Sequence, residues 1–139
     1  MSGIVKEDAQ KSKIFGTNSV GKGKAATRDG YGKGLVAAGK KNKNVVVLDA
    51  DLSDSTRSEW FKKEFPERFF SMGIAEQDMI GTAAGLALCG KIPYASSFAV
   101  FSERAFELTR NIISRNKINV KIAGSHAGIF TGEDGKSAQ

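Results

Sequence analysis

The sequence predicts an α/β fold: three layers, with a parallel sheet and helices on both faces. Three observations carry that expectation. Four short strand-like runs recur along the chain: Val45–Leu48, Phe69–Ser71, Ile92–Ser96 and Lys117–Ala123. The segments between them place apolar residues at helical spacing. The resulting order is α-β-α-β-α-β-α-β, and alternation with short connections implies parallel strands covered on each side.

In chain order, residues 1–25 are rich in Lys, Gly and Ser and have no apolar period. They read as a flexible basic leader. Thr27 is placed to cap a helix in which Tyr31, Leu35 and Ala38 share a face. Gly30, Gly32, Gly34 and Gly39 weaken that helix, because glycine costs backbone entropy. The β-branched run Val45-Val46-Val47-Leu48 suits a strand buried on both faces. Asp49 to Ser53 follows as a loop, and Thr56 to Phe65 as a short helix with Trp60 and Phe61 inward, ended by Pro66.

Phe69 to Ser71 is a brief strand, followed by a glycine turn and a helix whose first turn carries Glu76. Ala83, Ala84, Leu86, Ala87 and Leu88 make this helix apolar nearly all round, so burial on most sides is expected, with Cys89 inside it. Gly81 and Gly85 offer a close-approach face, and Gly90 suits a C-cap. Ile92 to Ser96 is the next strand. A helix with Phe101, Ala105, Leu108 and Ile112 on one face then leads to the strand from Lys117 to Ala123. The tail, Gly124 to Gln139, carries polar loop signals and no period.

The formal net charge of +6 suggests nucleic acid until it is located. Residues 1–43 carry ten Lys/Arg against three Asp/Glu, and residues 44–139 carry eleven against twelve, so the excess lies in the leading segment. With little aromatic interleaving there, a solvated tail is the expectation, and no nucleic-acid partner. The single cysteine excludes a disulfide framework and zinc-ligand spacing, which fits a reducing, cytoplasmic setting. No apolar stretch is long enough to span a membrane.

Ligands of parallel sheets sit beyond the carboxyl ends of the strands. Asp49 to Ser53, Gly73 to Glu76, Ser97 to Phe101 and Gly124 to His126 converge there. They bring together acids, two phenylalanines, Arg104 nearby and the only histidine. Neither a dinucleotide fingerprint nor a Walker loop occurs. On residue type alone, Glu76 is better explained as a carboxylate favoured by the helix dipole.

The ordered blocks Ala26-Thr27-Arg28, Asp49-Ala50-Asp51-Leu52, Gly73-Ile74-Ala75-Glu76-Gln77, Ser97-Phe98-Ala99-Val100-Phe101, Gly124-Ser125-His126-Ala127-Gly128 and Gly132-Glu133-Asp134-Gly135 resemble the pyrimidine-binding domain of transketolases. Each block alone is weak; their order and spacing together are specific. The match is strongest to the separate carboxy-terminal subunit of split transketolases. It implies a pyrimidine-binding domain of the thiamine diphosphate-binding fold over residues 26–139, incomplete at the carboxyl end.

The resemblance implies thiamine diphosphate as cofactor. It also implies magnesium or calcium supplied through a partner chain that binds the diphosphate, so a homo- or hetero-oligomer is expected. In the family, the residue matching Glu76 bonds the aminopyrimidine nitrogen. A carboxylic acid there favours the imino tautomer, whose nitrogen removes the thiazolium C2 proton. Phe98 and Phe101 match the aromatic positions flanking the aminopyrimidine, and Leu52 matches the residue near the thiazolium. His126 matches a histidine facing the sugar phosphate, with a catalytic and substrate-binding role. Arg104 stands where many transketolases have a third aromatic and where deoxyxylulose-phosphate synthases carry Arg, so it is expected to bind a substrate anion or pair with Glu103 or Glu107.

No metal ligands are assigned in this chain. The family usually ends this stretch Gly-Glu-Asp-Gly-Pro-Thr-His-Gln, whereas here Ala138 replaces the histidine. Alanine gives no hydrogen bond, so a shifted donor choice or a lower rate is expected. The reaction implied is transfer of a two-carbon ketol unit between sugar phosphates. Two alternatives fit the same residues. One is a deoxyxylulose-phosphate synthase or the beta-type subunit of a 2-oxo acid dehydrogenase. The other is a non-catalytic assembly or regulatory module of the same fold.

Overall fold

A computed structural model of the chain describes residues 26–129 and 132–138; the basic leader and Gln139 lie outside the described residues. Four strands form one sheet in the order β2-β1-β3-β4. They are β1 (Val45–Asp49), β2 (Phe69–Ser71), β3 (Ile92–Phe98) and β4 (Lys121–Ser125), and all pairings are parallel. In register, Asp49 lies opposite Ser71 and Ser96, and Phe98 opposite Ser125. The four carboxyl ends therefore share one edge.

Side-chain alternation along β1 divides the core. Val45 and Val47 pack with Leu35 of α1 (Thr27–Lys41), with Phe61 and with Phe69. Val46 and Leu48 pack on the other side with Met79, Ile80, Ala83 and Ala84 of α4 (Glu76–Leu88), together with Ala105 and Ile113. A strand buried on both faces follows from its unbroken apolar run Val45 to Leu48, as expected.

The glycines of α1 divide into two kinds. A Cβ on Gly32 would lie 2.6 Å from Trp60 Cε3, and one on Gly39 would lie 2.5 Å from Phe61 Cε2. Gly30 and Gly34 face nothing within 4 Å. Thus two of the residues that weaken the helix locally are required by its packing. Thr27 is the first helical residue and not the cap; Ala26 holds that position without a side-chain bond.

The single helix expected from Thr56 to Phe65 is two, α2 (Ser53–Thr56) and α3 (Glu59–Glu64). Arg57 divides them at φ 66°. Its guanidinium ties back to Asp29 at 3.1 Å and to the Asp54 carbonyl at 2.8 Å. A 3-10 turn, Pro66–Arg68, then enters β2. Arg68 Nη1 donates to the carbonyls of Gly39 and Asn42 at 3.1 and 3.2 Å, with its guanidinium 3.9 Å over the Phe65 ring. That one side chain fastens the end of α1 to the start of β2.

Helix α4 ends in a Schellman motif: Gly90 N–H bonds Ala87 O, Lys91 N–H bonds Leu86 O, and Gly90 has φ 82°. Two expectations about α4 need correction. Leu88 is 74% exposed, and Cys89 is the exposed C-cap, because the last turn extends past the edge of the core. Gly85 faces open space, and Gly81 makes ordinary contact with Leu108 at 3.6 Å.

After β3 the chain runs through α5 (Ala99–Ser102), a 3-10 turn (Glu103–Ala105), α6 (Phe106–Leu108) and a π-helical turn (Thr109–Ser114). The π turn adds a residue to the helical repeat. Consequently Ile113 is buried at 8% and Ile112 is 38% exposed, the reverse of the expected face. Lys117 at φ 54° closes this segment, so β4 begins at Lys121 and not at Lys117. The tail contains a 3-10 stretch, Gly132–Ala138, with a kink at Gly135.

Candidate active site

Gly73, at φ 67°, turns the chain from β2 toward α4, and Ala75 N–H closes the turn on Gly73 O at 2.8 Å. This places Glu76 on the first turn of α4, where the helix dipole favours negative charge. Glu76 is only 3% exposed. A buried carboxylate needs a partner. Arg104 supplies one: its Nη1 donates to Glu76 Oε1 at 2.9 Å. Arg104 itself is 54% exposed, and its guanidinium lies 5.0 Å from the Phe101 ring centroid. Gln77 Nε2 holds the Arg104 carbonyl at 2.9 Å, which fixes the 3-10 turn against α4. Arg104 therefore pairs with Glu76, and neither Glu103 nor Glu107 is its partner among the described contacts. Glu107 is bound instead by Arg110.

Phe101 and Phe98 stack with centroids 5.5 Å apart and planes at 9°. Phe98, 6% exposed, also stacks on His126 at 3.9 Å and 29°. The row Glu76, Arg104, Phe101, Phe98, His126 thus runs unbroken along the carboxyl edge of the sheet. Four of these five side chains come from two strand ends and the helical turns that follow β3. Leu52 is half-buried beside this edge, with its N–H donating to Asp49 Oδ1 at 2.8 Å.

His126 adopts φ 55° at the end of β4, and its Nδ1 lies 2.9 Å from Ser125 Oγ. Its Nε2 is 3.9 Å from Asp134 Oδ2. Burial lowers its pKa below the usual histidine value; Asp134 acts in the opposite direction and the charge of Arg28 adds to the lowering. The ring is therefore poised as the neutral base or acceptor near neutral pH.

Asp49 was expected in a loop; it is the last residue of β1 and 1% exposed. Its Oδ2 accepts from Ser58 Oγ at 2.9 Å and Thr56 Oγ1 at 3.3 Å. Burial raises its pKa against the lowering by these bonds. Asp49 thus orders the loop that carries Asp51 and Leu52. Sequence reasoning missed a second cluster, on the α1 face of the same edge. Tyr31 Oη and Ser96 Oγ lie 2.5 Å apart, and burial pushes the Tyr31 hydroxyl up to about 12. A groove of about 180 Å³ opens there between Thr27, Arg28, Tyr31, Thr56 and Ser125. The available signal was the i, i+4 spacing of Thr27 and Tyr31 at the start of α1, above two strand ends.

This arrangement fits a flat heteroaromatic ligand with a polar ring nitrogen: a buried carboxylate for the nitrogen, and apolar ring faces for its plane. The buried Ser97 hydroxyl, beside Phe98, has no hydrogen-bond partner among the described residues. Among the described residues no three His, Cys, Asp or Glu side chains group to hold a metal ion, and no helix is long and apolar enough to cross a membrane. Ala138 is buried at 3%.

Residues 23–139 match the family described as transketolase, pyrimidine binding domain. The chain is 61% identical over 113 residues to a Methanocaldococcus jannaschii protein described as a transketolase C-terminal section, covering 81% of this chain and 36% of that one. It is 43% identical over 115 residues to human transketolase, covering 82% of this chain and 18% of the relative. A solved structure titled as a split gene transketolase, inactive beta4 tetramer, superposes at TM-score 0.68 with 57% identity, over 78% of this chain and 39% of that chain. Transketolase from Campylobacter jejuni superposes at TM-score 0.75 with 30% identity, over 81% of this chain and 18% of that chain. The chain therefore spans well under half the length of these relatives.

Proposed function

The chain belongs to the transketolase family, and from that membership we propose that it is the pyrimidine-binding part of a thiamine diphosphate-dependent transferase that moves a two-carbon ketol unit between sugar phosphates. The observation that carries this reading is Glu76, buried at the head of α4 and joined to the aromatic row at the sheet edge. Thiamine diphosphate, when bound, supplies the carbanion chemistry that such a transfer requires.

The chain's own residues divide the remaining work. Glu76 would hold the aminopyrimidine nitrogen and share a proton with it. Phe101 would offer an apolar face to that ring, backed by Phe98, which is stacked between Phe101 and His126, and the pair would exclude water from it. Leu52, held by the Asp49 loop, would pack against the thiazolium side. His126, poised as a neutral ring, would accept or pass a proton at the sugar hydroxyls. Arg104 would meet an anionic group of the substrate.

The diphosphate and its metal are assigned to a partner chain. The split-gene structure, titled an inactive beta4 tetramer, supports a chain that self-associates and lacks turnover alone. A cytoplasmic setting is part of the same reading.

The test is reconstitution with a diphosphate-binding transketolase chain, thiamine diphosphate and magnesium. Ketol transfer from a ketose phosphate is expected, and Glu76→Gln should lower turnover by at least about a hundredfold, the lower range for losing a general acid–base group. An assembly that contains both chains and stays inactive on ketose phosphates and on pyruvate would overturn the assignment. Transfer from pyruvate alone would move it to the deoxyxylulose-phosphate synthase class.

A further inference from the structure

Glu76 is asked to do two things with one carboxylate. Arg104 donates to its Oε1 at 2.9 Å, while the proposed function gives the same group to a ring nitrogen. The two demands conflict, because the guanidinium stands 2.9 Å from a carboxylate that is only 3% exposed, which leaves little of it open to a second partner.

The surroundings make the arginine the partner that can leave. Glu76 sits on a 13-residue helix and is 3% exposed, whereas Arg104 is 54% exposed on a single 3-10 turn. The contact uses Nη1 alone and is not a bidentate fork. The Arg104 backbone is held from outside the ion pair by Gln77 on its carbonyl, and its guanidinium also lies 5.0 Å from the Phe101 ring centroid. Its backbone therefore stays in place whether or not the guanidinium stays on Glu76.

We propose that Arg104 is a positioning residue that competes with the cofactor ring for Glu76, acting as a removable lock on that carboxylate. The inference rests on the proposed function for the identity of the competing ligand. Seating the ring exchanges the charge-assisted bond to Arg104 for the bond to the ring nitrogen, and the released guanidinium is left free to meet an anionic substrate. Cofactor affinity and substrate-anion binding are then linked through one side chain.

Two measurements test this, using the chain assembled with a diphosphate-binding transketolase chain and the chain by itself. In the assembly, the dissociation constant for thiamine diphosphate with magnesium is measured by calorimetry. Arg104→Met keeps an unbranched apolar side chain of similar length and removes the competitor, so binding should tighten about tenfold, the size of one net hydrogen bond. Arg104→Lys keeps the charge and should stay near the parent value.

In the chain by itself, thermal melting of Arg104→Met, Glu76→Gln and the double variant forms a cycle. The double variant should melt higher than the sum of the single effects predicts, because Glu76→Gln removes the charge that Arg104→Met leaves unpaired. Equal or weaker cofactor binding by Arg104→Met overturns the lock while leaving the function standing. Strict additivity in the melting cycle also overturns it. If neither assembly binds thiamine diphosphate, the proposed function fails, and the lock with it.

Discussion

Two alanine substitutions in the same helix should move stability in opposite directions. At Gly34 an added Cβ meets nothing within 4 Å. Alanine there should stabilise the chain by up to about 1 kcal/mol, the propensity difference between the two residues in a helix interior. At Gly39 the same methyl would lie 2.5 Å from Phe61 Cε2 and 2.7 Å from Phe65 Cε2. Phe61 is fully buried and cannot withdraw, since Phe65 packs on it at 5.0 Å and Arg68 covers both rings. Overpacking of this kind costs about 1–3 kcal/mol. Near the last turn of α1 the propensity gain is smaller, so the clash wins and Gly39→Ala should lose about 1–2 kcal/mol. The two variants should then differ by roughly 2 kcal/mol, which at a usual urea slope separates their midpoints by about 1 M. Urea unfolding followed by Trp60 fluorescence reads this directly. Equal midpoints, or a Gly39→Ala chain more stable than Gly34→Ala, would refute the close packing of α1 on α3.

Three further outcomes are expected. Ile113→Ala should cost about 2–5 kcal/mol and Ile112→Ala under about 1 kcal/mol, measured by the same unfolding; reversed costs would mean that no π turn shifts the face. Asp49→Ala removes the acceptor of the Ser58 hydroxyl and of the Leu52 N–H, while Thr56 keeps its bond to the Leu52 carbonyl, and should cost about 1–3 kcal/mol; unchanged melting would show that the loop does not depend on it. For His126 the folded pKa lies below the ordinary value, so the unfolded chain binds the proton more readily and stability should fall as pH drops below about 6.5. His126→Gln should flatten that slope, and an unchanged pH profile would count against the half-buried neutral ring.

The four strands were legible because their signals are local. Val45 to Leu48 is apolar without interruption and β-branched at its first three positions, and Phe69 to Ser71 is bounded by Pro66 on one side and Gly73 on the other. The glycines of α1 were read as a weakness because propensity is a property of one residue, whereas the need for Gly32 and Gly39 comes from Trp60 and Phe61, over twenty positions away. The π turn was illegible for a related reason: Ile112 and Ile113 are the same residue type, and only the packed helix decides which faces inward. At the site, the convergence of Glu76, Phe98, Phe101 and His126 followed from topology. The Glu76 to Arg104 pair did not, since a carboxylate and a guanidinium 28 residues apart carry no sequence signal of contact. Tyr31 and Ser96 were missed because each looks like an ordinary core-facing residue until α1 lies over β3.

The π turn at Thr109–Ser114 also sets where the chain's length can change at least cost. Such a turn holds one residue more than the α-helix it interrupts. Removing a single residue there lets the helix close into its regular repeat, while Arg104 on one side and Lys121 on the other keep their places. A deletion anywhere in α4 would instead rotate Glu76 relative to the sheet by about 100°, the angular step of one helical residue. A one-residue deletion between Thr109 and Ser114 is therefore expected to leave the spacing of the site untouched.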